Sequence, residues 1–192
     1  MISFKVVAVG NSNVGKRCLL RAYAEGKFPE DDVRNESDGY KATTEFGNRP
    51  INMILYEVNC EENFSRVRHL MYPLTDAFLF CFSLVDLKSL EDAENIWYPE
   101  VTHHCPNIPI ILVGTKSDLV DTKSRQRVHR KARAVKKRLK LKQYVETSAI
   151  NNEGLQNVFQ EVIQAVLMVS PKQKRKGKPD KKVDSEKGCV LM

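Results

Sequence analysis

The apolar, β-branched run FKVVAV (4–9) leads straight into GNSNVGKR (10–17). This stretch constrains the fold more than any other. GNSNVGK fits G-x-x-x-x-G-K-[ST] at every fixed place except the last, where Arg17 stands. Glycines let such a loop curl so that its N–H groups converge on phosphate oxygens. The helix that follows offers its positive end, and Lys16 adds a charge. A strand, a phosphate loop and a helix in that order imply an α/β domain.

The rest of the chain keeps the alternation. INMILYEV (51–58), AFLFCFSLV (77–85), IPIILVGT (108–115) and YVETSA (144–149) read as strands. The two near-continuous apolar runs suit a mainly parallel sheet buried on both faces. Helical patterns cover 16–25, 86–104, 125–142 and 153–169. In the third, Val128, Ala132, Val135 and Leu139 make one stripe. In the last, Leu155, Val158, Phe159, Val162, Ile163 and Val166 do the same. Asn151 or Asn152 is expected to cap it. The expected fold is a three-layer α/β domain over 1–170, with a six-stranded, mostly parallel sheet and about five helices. At 192 residues with 42% hydrophobic content, the chain can bury one sizeable core.

Charge is unevenly placed. Residues 122–143 hold eleven Lys/Arg and no acid, and 171–192 hold eight against three acids. They contribute +11 and +5 to a net charge of +7, which leaves −9 elsewhere. Residues 171–192 are poor in apolar side chains and read as a disordered polybasic tail. They end in CVLM, a prenylation box that marks Cys189 for farnesyl. One lipid chain binds marginally, and a basic patch supplies the second signal at roughly 1 kcal/mol per charge. An anionic membrane is therefore the expected partner, reached from its cytoplasmic face with a cytosolic pool. No aromatics are placed to stack bases among these lysines, so nucleic acid is not expected. Five cysteines lack metal-ligand spacing and read as reduced thiols. No apolar run is long enough to span a bilayer, and nothing in the N-terminus reads as a secretory signal.

Two further strings follow strands. In TKSD (115–118), Asp118 can accept from a guanine ring N–H and amine, and the Lys116 stem can cover the base. In TSA (147–149), the Ala149 N–H can reach the guanine carbonyl beside Ser148. With the phosphate loop, and with YPLTDAFLFCFSL (72–84) and IWYPEVTHHCPNIPIILVGTKSDL (96–119), these strings resemble the Rho family of small GTP-binding proteins, closest to its Rac-like branch. The resemblance covers roughly 1–120 and 144–170, plus the C-terminus. It implies GTP/GDP as ligand, protein effectors and Rho-type regulators as partners, and a monomer. It further implies a role in actin organisation, polarity or trafficking. By the same resemblance Gly10, Asn13, Gly15 and Lys16 line the phosphates, Cys18 lies near the α-phosphate, and Phe28 packs at the base. Phe64, Arg66, Val67, Leu70, Tyr72 and Pro73 match the family's regulator-binding surface. An inserted helix that Rac-like members carry between the TKSD and TSA strings is cut down or absent here.

The departures concentrate at one place. The family's metal-binding hydroxyl is Arg17, its switch threonine is Asn35, and D-T-A-G-Q-E reads Glu57, Val58, Asn59, Cys60, Glu61, Glu62. A phosphate-loop glycine is Ser12. A guanidinium has no acceptor and cannot ligate Mg²⁺, which needs oxygens in octahedral array. Glu61 in place of the water-orienting glutamine brings negative charge to an anionic site. Ser12 crowds the space of an activating arginine, whose loss alone costs about 10³–10⁵ in rate. These changes imply impaired hydrolysis with no ordinary metal site, and Arg17 is expected to pair with Glu57 or touch phosphate. The alternatives are a conventional GTP/GDP switch and a nucleotide-free scaffold.

Overall fold

The computed structural model describes residues 2–29, 39–58, 60–61 and 64–168, apart from the side chains of Ser65 and Arg66. Asn35, Asn59, Glu62 and the tail with Cys189 lie outside the described residues, as does the side chain of Arg66. Six strands form one sheet in the order β2-β3-β1-β4-β5-β6. They are β1 (Ile2–Val9), β2 (Tyr40–Phe46), β3 (Arg49–Glu57), β4 (Ala77–Ser83), β5 (Ile110–Thr115) and β6 (Gln143–Glu146). Only β2 runs antiparallel to its neighbour, β3.

Period-two alternation explains how one sheet serves two cores. On β1, Val6 and Ala8 face one layer while Val7 and Val9 face the other. On β4, Leu79 and Cys81 oppose Phe78, Phe80 and Phe82 in the same way, and every residue of the strand is buried. The first layer holds α1 (Lys16–Glu25) and α6 (Leu155–Met168). The second holds α3 (Leu87–Asp92), a π-helix (Ala93–Trp97), α4 (Tyr98–His104) and α5 (Thr122–Arg138). A short α2 (Ser65–Arg68) precedes β4.

Three sequence expectations need correction. The strand β2 was not located by an apolar run, because only Tyr40 and Ala42 of its side chains are buried. The basic helix starts at Thr122, three residues early, because Asp121 caps it by accepting from Lys123 N and Ser124 N at 3.0 Å each. Such a cap contributes about 1 kcal/mol. The same helix ends at Arg138 because Lys140 takes φ +54° and Leu141 N donates to the Lys136 carbonyl, which closes a Schellman turn. Neither Asn151 nor Asn152 caps α6. The residue just before that helix is Gly154, and both asparagines lie in the preceding turn.

Five carboxyl ends of strands carry the candidate site. The sheet order reverses at β1, between β3 and β4. Open α/β sheets bind ligands outside the carboxyl ends at such a point.

Candidate functional site

The phosphate loop is held from three sides. Gly10 sits at φ +143°, and a Cβ there would lie 2.1 Å from the Cys81 carbonyl oxygen, so only glycine fits. Gly15 opens α1 at φ +92°, a region that L side chains avoid. Asn11 is clamped on both ends of its amide. Its Nδ2 donates to Asp92 Oδ2 at 2.7 Å, and its Oδ1 accepts from Trp97 Nε1 at 2.8 Å. Asp92 also holds Lys88 at 2.8 Å. Burial would raise the Asp92 pKa, but the bonds from Lys88 and Asn11 outweigh it and keep the carboxylate ionised. Thr115 Oγ1 donates to the Val14 carbonyl and lies 3.0 Å from that of Phe82, tying β5 to the loop.

Lys16 is buried. Its Nζ donates to the carbonyls of Gly10 at 2.9 Å and Asn11 at 2.8 Å, and Cys60 Sγ lies 3.7 Å away. Ser12 Oγ and Cys60 Sγ are 2.9 Å apart. Arg17, the next residue on α1, donates from Nε to Glu57 Oε1 at 2.7 Å at the end of β3. The pairing expected from the sequence is therefore present.

The TKSD and TSA strings come together beside this loop. Lys116 takes the left-handed conformation, φ +60°, and its Nζ donates to the Asn13 carbonyl at 2.6 Å. Ser117 N donates to the Thr147 carbonyl at 3.0 Å, and Thr147 N to that of Gly114 at 2.7 Å. Ser148 is fully buried, its N–H donates to the Glu153 carbonyl, and its Oγ accepts from Asn151 N at 3.2 Å. Asp118 is exposed and Ala149 half-buried at the same edge. Cys18 is half-buried, and burial pushes its thiol pKa up. Phe28, past the end of α1, is 36% exposed.

The second candidate surface needs one correction. Phe64, Val67 and Leu70 are exposed on and around α2, but Tyr72 is fully buried and is no contact residue. Its hydroxyl donates to Glu100 Oε1 at 2.6 Å. Arg68 grips the same carboxylate with Nε at 2.8 Å and Nη2 at 2.5 Å, and lies over the Trp97 ring at 4.7 Å. Sequence reasoning missed this bracket, and it missed the Asn11 clamp. Both depend on residues of α3, the π-helix and α4 that match no phosphate-loop motif.

The sequence model of the Ras family matches residues 5–168. The chain belongs to the Ras family. As a Ras-family domain it is a small GTP-binding signalling protein, with guanine nucleotide as its ligand and protein effectors and regulators as its partners. Such domains generally use Mg²⁺ with the nucleotide, and the residues here do not fit that ion. At the hydroxyl position stands the guanidinium of Arg17, which has no acceptor atom. Glu57, at the end of β3, is engaged by that guanidinium at 2.7 Å.

Proposed function

We propose that this Ras-family chain is a membrane-anchored protein of Rho/Rac type whose GTP hydrolysis is impaired. It holds guanine nucleotide and signals through protein partners to actin organisation, polarity or trafficking. The observation that carries the reading is the Arg17–Glu57 bond beside a phosphate loop that keeps Gly10, Gly15 and Lys16. Catalysis in this class rests on metal neutralising the β/γ charge and on an oriented water. Here a fixed cation takes the metal side, and Glu61 in place of the glutamine is an anion.

Gly10, Gly15 and Lys16 hold phosphates, while Lys116, Asp118 and Ala149 read the base. Support for the Rho/Rac assignment comes from the two stretches 72–84 and 96–119. Support for the membrane comes from the basic tail sequence and its CVLM end. The exposed basic face of α5, with Lys123, Arg127, Arg130 and Arg133 turned to solvent, adds positive charge that suits an anionic leaflet. Single-turnover hydrolysis of bound GTP by the purified protein tests the reading. It predicts no appreciable phosphate release on the timescale of ordinary family members. Release at their rate would overturn it.

A further inference from the structure

One side chain touches both the phosphate loop and α2. Trp97 ends the π-helix and is buried. Its Nε1 donates to Asn11 Oδ1 at 2.8 Å, and its ring carries the Arg68 guanidinium at 4.7 Å. Arg68 belongs to α2 and is held in place by Glu100 at 2.5 Å. The backbone carbonyl of Asn11 accepts from Lys16 Nζ at 2.8 Å. The Asn11 amide is gripped a second time by Asp92 at 2.7 Å. Asp92 and Trp97 are five positions apart, a step that an ideal α-helix turns to sides about 140° from each other. The π-helical stretch Ala93–Trp97 has a wider turn, closed i→i+5, and brings both residues onto one amide. Such stretches are rare, and they are frequent at functional sites.

We propose that Trp97 is a positioning residue of the nucleotide site: it fixes Asn11, and with it the carbonyl that holds Lys16, and its own place depends on Arg68. The proposal rests on the nucleotide-binding reading above and names residues outside the loop that set how firmly that site holds its ligand. The carbonyls of Gly10 and Asn11 keep the Lys16 ammonium in one place. A lysine ordered before the ligand arrives does not lose its rotamer freedom on binding, so nucleotide is held more tightly. Glycines at 10 and 15 lend the loop backbone freedom. Asn11, anchored at both ends of its amide, removes that freedom between them. Arg68 acts at one remove. It covers the indole face, and without it the indole can tilt and draw its N–H from Asn11.

The test follows release of fluorescent GDP from the full chain after a chase with excess unlabelled GDP. Asn11→Ala and Trp97→Phe, which keeps a ring but loses the N–H, should each speed release by on the order of 10-fold, the worth of one hydrogen bond in this setting. Asn11→Asp alone sets two carboxylates face to face and should speed release at least as much. Joined with Asp92→Asn, it should restore the parent rate, because the paired change keeps both hydrogen bonds with donor and acceptor exchanged. Arg68→Ala should speed release roughly 2- to 5-fold, the worth of a cation on an aromatic face. In the Asn11→Ala background Arg68→Ala should add nothing, since the grip it supports is already gone. GDP release unchanged in Asn11→Ala and Trp97→Phe would overturn the proposal and leave the nucleotide-binding reading standing. So would failure of the paired change to restore the rate, or an Arg68→Ala effect that is absent in the parent or undiminished beside Asn11→Ala. Failure of the unmodified chain to bind fluorescent GDP would overturn the nucleotide-binding reading and the proposal with it.

Discussion

Replacing Glu100 by alanine should loosen α2 from α4 and cost more than any other single polar change on this face. The carboxylate accepts from Arg68 and from the Tyr72 hydroxyl. The side chains are only 10% exposed for Arg68 and 20% for Glu100. Removing one partner of a buried pair costs about 3–5 kcal/mol. The guanidinium, lying over Trp97, can turn partly to solvent, so roughly 2–4 kcal/mol is expected. Tyr72→Phe removes a single hydrogen bond and should cost about 1 kcal/mol. Glu100→Gln keeps an acceptor for Tyr72 and should fall between the two. At about 2–4 °C per kcal/mol for a domain of this size, Glu100→Ala should lower Tm by roughly 4–16 °C. Thermal unfolding followed by circular dichroism gives the numbers. Trp97, the only tryptophan, reports the local change by its emission, because Arg68 leaves its ring. A Glu100→Ala protein as stable as the parent, or a Tyr72→Phe cost exceeding it, would refute the reasoning.

Gly10→Ala should destabilise by about 3 kcal/mol or more, since its Cβ meets a backbone oxygen that cannot swing away, and denaturant titration checks this. Glu146 should make the fold acid-sensitive. Burial alone raises its pKa, but bonds from His129, Arg125 and Tyr144 outweigh this and hold it below its ordinary 4.5. A depressed folded-state pKa stabilises above about pH 4.5, and the contribution is lost as pH falls through the folded value. Glu146→Gln should therefore flatten the stability profile as pH falls below about 4.5, as read by urea midpoints. Asp118→Ala should weaken GDP binding by roughly 10–150-fold by calorimetry, the worth of hydrogen bonds to a charged group, without lowering Tm, because Asp118 is exposed.

Much of the fold was legible because its strands are so apolar. The run 77–83 is buried on both faces, and its sequence could hardly do anything else. The stripe Val128, Ala132, Val135 and Leu139 predicted the buried face of α5; the first three are buried, and Leu139, just past the helix end, is partly buried against the same core. What escaped was set by single local contacts. The ends of α5 depend on the Asp121 side chain and on a lysine in left-handed conformation. The strand β2 buries too few side chains to announce itself.

At the site, spacing found the phosphate loop and the two strings beside it. The Arg17–Glu57 contact was legible because both residues depart from one family pattern with opposite charge. The clamp on Asn11 was not, since Asp92 and Trp97 lie 81 and 86 residues away and only the sheet brings them near. Nor was the Ser12–Cys60 contact, which joins positions 48 apart.

The claim at the centre of this account is that a guanidinium has taken the seat of a divalent cation. The most direct measurement is the rate at which bound fluorescent GDP leaves the protein with and without excess EDTA. The account predicts the same rate in both, and predicts that Arg17→Ser makes the rate rise when the metal is removed. Rapid loss of nucleotide from the unmodified protein on chelation would contradict it.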